Sequence, residues 1–181
     1  MTTPDELGHR LRQTRWGALL CLFTILFGFG FGAAFGAFEA PMKAGLTARA
    51  EAVREPVYGG DAARMKSVVD KSWTYYKRAH LHGSAIGAVT LGAVLLLAMH
   101  RRPRPVVRHG VALALGAGGL GYSLFWMFAA RRAPGLGGTD AAKESLAWLA
   151  VPSAGLLLLG LLAVIGLTAL ELFGPASDGE R

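Results

Sequence analysis

Histidine is the residue type in this chain whose spacing invites chemistry. His80 and His82 stand together in the run Ala79-His80-Leu81-His82-Gly83, and His100 and His109 bracket a short arginine-rich stretch. Two residues apart on a helix means about 200° of rotation, so His80 and His82 face opposite sides and share a metal only if the backbone unwinds. His82 and His100 are eighteen residues apart, which at 3.6 residues per turn is five turns and one shared face. If His100 lies level with His109 across a tight hairpin, His82 lies level with Met127. Two ligand pairs result, His82 with Met127 and His100 with His109. Both are axial pairs known for haem iron, and a thioether also suits Cu(I). Haem or copper is therefore the cofactor expectation. The competing reading makes the histidines interfacial anchors or interhelical hydrogen bonders, with Met127, in the run Phe125-Trp126-Met127-Phe128, as flexible packing.

A second group collects at one end of the apolar segments: Glu39, Tyr76, His80, His82 and Tyr122. Titratable groups at a common depth under an amphipathic lid describe a small-molecule or enzymatic site. They equally describe any membrane–water boundary. Other chemistry finds no support. There is no HExxH, P-loop, GxSxG or paired-carboxylate arrangement, so soluble-type catalysis has no candidate site and a non-catalytic role is favoured over an enzymatic one. The single Cys21 permits neither an internal disulfide nor a CxxC site.

The elements that must position these residues follow from charge distribution. Hydrophobic residues make up 52% of the 181 and charged residues only 17%, against about 25% in a soluble domain. The charges are clustered, leaving four charge-free runs at 16–38, 81–100, 110–130 and 146–170. Each matches the ~20 helical residues that cross a hydrocarbon core of ~30 Å. The first run also exceeds the 7–15 residues of a signal-peptide core, so it is read as an uncleaved helix. The predicted fold is an all-α integral membrane protein, a four-helix up-down bundle.

Between the spans lie an N-terminal segment (1–15), an outer loop (39–80), a basic loop (101–109), a second outer loop (131–145) and a tail (171–181). Pro103 and Pro105 break the chain between the second and third spans. Pro134 and neighbouring glycines turn it before the fourth, where Thr139 or Asp140 is placed to cap the last helix. Within the long loop, residues 61–80 carry Met65, Val68, Val69, Trp73 and Tyr76 near helical spacing. They are predicted to form an amphipathic surface helix capped by Asp61, with Trp73, Tyr75 and Tyr76 at headgroup level.

Orientation rests on density. More Lys and Arg fall on the long-loop side, but there they mix with carboxylates, whereas Arg101, Arg102, Arg104 and Arg108 crowd one short loop. Both termini, Arg181 included, are therefore expected on the cytoplasmic side of a bacterial cytoplasmic membrane. The basic residues flank spans and form no groove-tracking stripe, so no nucleic acid is expected as a partner.

Helices in lipid associate by close packing. Gly28, Gly32 and Gly36 repeat every four residues beside a ridge of Phe23, Phe27, Phe31 and Phe35, and Gly83 and Gly87 offer a matching surface. This pattern serves either packing inside the bundle or self-association and contact with other membrane subunits. The glycine cluster at 116–121 lies mid-span and carries no phosphate reading. No span contains Asp, Glu, Lys or Arg, which argues against an ion-coupled pump, and no repeat points to an inverted-repeat transporter. The sequence thus favours a non-catalytic subunit or accessory protein in the lipid bilayer. The alternatives are a haem or copper electron-transfer protein and a small-molecule site at the outer mouth.

Overall fold

The computed structural model describes residues 4–174. The predicted tail beyond residue 174, with Arg181, lies outside the described residues, as do residues 1–3. The described chain forms helices α1 (Pro4–Glu51), α2 (Arg54–Tyr58), α3 (Ala62–Met99), α4 (Pro105–Leu136), α5 (Thr139–Glu144) and α6 (Ala147–Phe173), with no strand among the described residues. Four of them, α1, α3, α4 and α6, are long and apolar enough to cross a membrane.

The first helix runs further than its charge-free stretch. Its start carries Asp5 and Glu6 in the first turn, where acidic groups favour the helix dipole. It passes residue 38 and ends only at Glu51. Pro41 lacks an N–H and its ring crowds the preceding turn, so α1 bends at Phe38 (φ −134°, ψ 22°) instead of stopping. Beyond the bend, Leu46 and Ala50 are fully buried. Tertiary burial therefore makes helix out of a stretch that the sequence assigns to loop.

Gly59 and Gly60, both at positive φ, reverse the chain after α2. Asp61 then caps α3 as the sequence predicts, accepting from the backbone N–H of Arg64 at 2.9 Å. The amphipathic stretch 61–80 is the first half of one unbroken helix. Its apolar side is covered by protein: Met65, Val68 and Val69 pack on Ala50, Val53, Val57 and Tyr58. The end of α1, α2 and the start of α3 together make a helical hairpin.

The tip of that hairpin is tied to α4. Tyr58 donates its hydroxyl hydrogen to the Pro134 carbonyl at 2.6 Å, satisfying one of the carbonyls that the end of α4 leaves open. Burial pushes the Tyr58 phenol above its ordinary pKa, so it remains a donor at any ordinary pH. Tyr58→Phe should strand that carbonyl and cost about 1–2 kcal/mol. Faster hydrogen exchange confined to residues 54–64 is the expected readout, and unchanged exchange would refute the tether.

At the other end of α4, Pro105 is the first helical residue, the position that tolerates proline best. Thr139 and Asp140 do not cap the last apolar helix. They open the short α5, whose N-cap is Gly138, and α6 follows from Leu146 with no side-chain cap. The left-handed Gly137 (φ 71°) makes this second turn possible.

Helices α1 and α3 run antiparallel, with Gly28 against Gly83 and Ile25 against Gly87, as do α4 and α6, with Gly118 against Leu157 and Leu115 against Gly160. Helices α1 and α4, which meet at Gly17 with Ala112 and at Leu20 with Gly116, run parallel. Helix α4 is central, packing on α1, α3, α5 and α6, whereas α1 and α6 scarcely meet. The buried core holds Cys21, Val94, Leu97 and Leu115 toward the termini, and Tyr75, Phe125, Trp126 and Leu146 toward the hairpin. Large apolar side chains such as Phe29, Leu26, Leu159 and Ile165 point outward instead, each more than 60% exposed.

Candidate functional site

Each histidine singled out in the sequence is engaged between or along helices. His80 donates from Nδ1 to the Gly28 carbonyl at 2.7 Å, and its ring lies where a Cβ on Gly32 would sit, 2.5 Å from Cε1. Only because residue 32 lacks a side chain does the imidazole reach the backbone of α1. His82, one face away, has its ring centroid 5.5 Å from Tyr122 and 6.0 Å from Trp126. His100 is buried at the far end of α3, donating from Nδ1 to the Leu96 carbonyl at 2.6 Å. Its Nε2 meets Thr168 Oγ1 of α6 at 2.9 Å. His109 Nδ1 bonds the Gln13 carbonyl of α1 at 3.1 Å.

The predicted pairs accordingly meet different neighbours. His100 turns to α6 and His109 to α1, while His82 lies in an aromatic nest and Met127 lines a cavity. Among the described residues no three His, Cys, Asp or Glu side chains converge in a way that holds a metal ion.

The loop between α3 and α4 is held by a buried arginine. Arg108 is only 3% exposed; its Nη2 donates to the His100 carbonyl at 2.8 Å and its Nη1 to Gln13 Oε1. Arg10 adds a hydrogen bond to the Met99 carbonyl at 3.2 Å, and Glu171 accepts from the backbone N–H of Arg101 at 3.0 Å. These groups close the helix ends at the terminal side.

The glycines divide. A Cβ on Gly83 would lie 2.8 Å from Gly28 Cα, and one on Gly87 2.7 Å from Ile25 Cγ1. Gly28, Gly83 and Gly87 thus let α1 and α3 touch, and Gly32 makes room for His80. Gly36 has open space around it. Other helix contacts use glycines that the sequence pattern did not single out: Gly17 of α1 against Ala112 of α4, and Gly160 of α6 against Leu115 of α4.

Of the outer-mouth residues, Glu39 is exposed and paired with Lys43 at 2.5 Å, while His82 and Tyr122 sit together in the aromatic nest. Tyr76 alone lines a cavity of about 1100 Å³. This cavity exists because α6 packs on α4 but scarcely on α1, leaving a gap beneath the hairpin. Phe31, Tyr76, Met127, Phe128 and Trp148 supply an apolar and aromatic wall. Arg49, Arg131 and Arg132 supply three cations, with Ser145 beside them. Arg132 donates to the Ser145 carbonyl at 3.3 Å and to its hydroxyl at 3.2 Å. Among the described residues no carboxylate pairs with any of the three arginines.

Arg49, Arg131, Arg132, Ser145 and Trp148 are absent from the sequence-derived site. The adjacent Arg131-Arg132 just past a span, level with Trp148, was the available signal. Arg49 gave none, because its position depends on the extension of α1 past the Phe38 bend. Comparison with family models, with curated proteins and with solved structures finds no match to this chain.

Proposed function

We propose that this chain is a multi-pass membrane protein that binds a small molecule at the hairpin end of an up-down four-span bundle, as an accessory protein and not as a catalyst. The observation that carries this reading is the cavity of about 1100 Å³, lined by aromatic rings and three cations. It lies slightly above the ~300–1000 Å³ of ordinary ligand sites and shares their mixture of apolar lining with few polar groups. Four helices long and apolar enough to cross a membrane support the membrane reading, and the arginine density of the α3–α4 loop supports an orientation with both termini in the cytoplasm of a bacterial cell.

The test is a cavity-filling substitution. Gly135 lines the cavity and has open space where a side chain would stand, so Gly135→Trp should fold normally while occupying the site. A panel of small amphiphiles, screened by thermal unfolding of the detergent-purified protein, should stabilise the wild type. A ligand at ~100 times its Kd adds about 2.7 kcal/mol, and that gain should vanish in Gly135→Trp. Equal shifts in both proteins across the whole panel would sink the reading.

A further inference from the structure

We propose that the cavity beneath the hairpin takes an anionic phospholipid from the surrounding bilayer, its phosphate held by Arg49, Arg131 and Arg132 and its hydrocarbon against the aromatic wall. This deepens, and rests on, the binding reading above. Three observations converge on it.

The first is charge. Three guanidinium groups line one cavity, with no carboxylate partner among the described residues. Guanidinium recognises phosphate through paired N–H donors, and the Tyr76 hydroxyl adds a neutral donor at the same site. A cationic ligand has nothing here to pair with.

The second is the order of groups along the helices. On α4, Met127 and Phe128 precede Arg131 and Arg132 by one turn. Phe31 lies on the span side of the bend in α1 and Arg49 on the hairpin side. The apolar wall therefore lies toward the membrane core and the cations toward the hairpin. A lipid has the same polarity, tail inward and phosphate at the surface.

The third is access. Trp148 is 69% exposed, and Phe128 and Leu136 on the facing helix are also exposed. These exposed lining residues leave the cavity open at its side, where α6 stands apart from α1, toward the space that lipid occupies around a spanning bundle. Indole rings prefer the headgroup level.

The experiment uses the full chain in detergent and follows thermal unfolding during titration with short-chain phosphatidylglycerol, short-chain phosphatidylcholine or inorganic phosphate. Phosphatidylglycerol should stabilise the wild type at much lower concentration than phosphatidylcholine, and inorganic phosphate should have no effect. In Arg49→Gln/Arg131→Gln the apparent affinity for phosphatidylglycerol should fall at least tenfold. With Arg132→Gln added it should fall on the order of a hundredfold, at about one kcal/mol per basic group. Neither the Arg49 nor the Arg131 side chain makes a hydrogen bond within the described protein, so the double variant keeps the fold testable even if loss of the Arg132–Ser145 bond disturbs the α5–α6 turn.

Equal affinity for the two lipids, or full affinity in the double variant, would overturn the proposal. Stabilisation by inorganic phosphate alone would replace the lipid with a free anion. The two readings fail separately. If a neutral amphiphile stabilises wild type but not Gly135→Trp, the cavity binds and only the anionic assignment falls. If nothing distinguishes wild type from Gly135→Trp, the binding reading falls as well.

Discussion

Gly28→Leu is expected to destabilise the protein by about 3–4 kcal/mol, whereas Gly36→Leu, two turns along the same helix, is expected to leave stability unchanged or slightly improved. A Cβ at residue 28 would stand 2.6 Å from the Gly83 carbonyl carbon and from Ser84 Oγ. What it meets is chiefly backbone, which cannot rotate away as a side chain does. Overpacking of a close contact costs about 1–3 kcal/mol. Separating α1 from α3 would also break the His80 bond to the Gly28 carbonyl, worth a further 0.5–1.5 kcal/mol or so. At Gly36 no atom lies within 4 Å, and replacing glycine inside a helix recovers up to about 1 kcal/mol. Unfolding in mixed detergent–SDS micelles measures both. Equal losses would mean that the α1–α3 seam is misplaced. Loss of self-association in Gly36→Leu, with stability intact, would instead mark that open glycine as an outward contact.

The second large effect is expected at Arg108. Arg108→Leu should cost about 3 kcal/mol, because hydrogen bonds from a charged donor contribute about 1.5–3 kcal/mol and two are lost. The His100 carbonyl and Gln13 Oε1 are their acceptors. The loss would loosen the α3–α4 turn and its contact with α1 together. Arg108→Lys restores charge but not the fork, so it should recover only part of the stability. Arg104, exposed in the same loop and with no side-chain cap bond, is the comparison: Arg104→Leu should stay within about 0.5 kcal/mol. Thermal unfolding at constant detergent concentration separates them. Similar shifts for Arg104→Leu and Arg108→Leu would show that loop charge, and not the buried bonds, is what matters.

Much of the architecture was legible because it depends on local properties. Length without charge defines the four apolar helices, and Asp61 caps α3 because its side chain bonds a backbone N–H three residues on. Pro103 and Pro105 end one helix and open the next for reasons internal to the backbone. Where local signals disagreed with packing, the sequence misled. Pro41, with Glu39 and Lys43 beside it, reads as a loop. Burial of Leu46, and of Ala50 in the cluster with Met65 of α3, outweighs the proline and leaves a bend. The fate of Thr139 has a similar cause: the left-handed Gly137 and the packing of Ala142 and Leu146 form a separate α5 before the last helix begins.

The candidate site was the least legible part. The sequence alone determined that helices dominate, that four of them suit a bilayer, that aromatic residues gather at one end, and that the spans carry no charge. Helical periodicity and side-chain chemistry are sufficient for that. Only the tertiary structure decided that His80 reaches a carbonyl fifty-two residues away, that Gly28 touches another helix while Gly36 does not, and that Arg49 joins Arg131 and Arg132. These outcomes depend on which helices meet and which stay apart. The cavity is the space left when α6 leans on α4 and scarcely touches α1, and a gap between distant segments has no local signature in the chain.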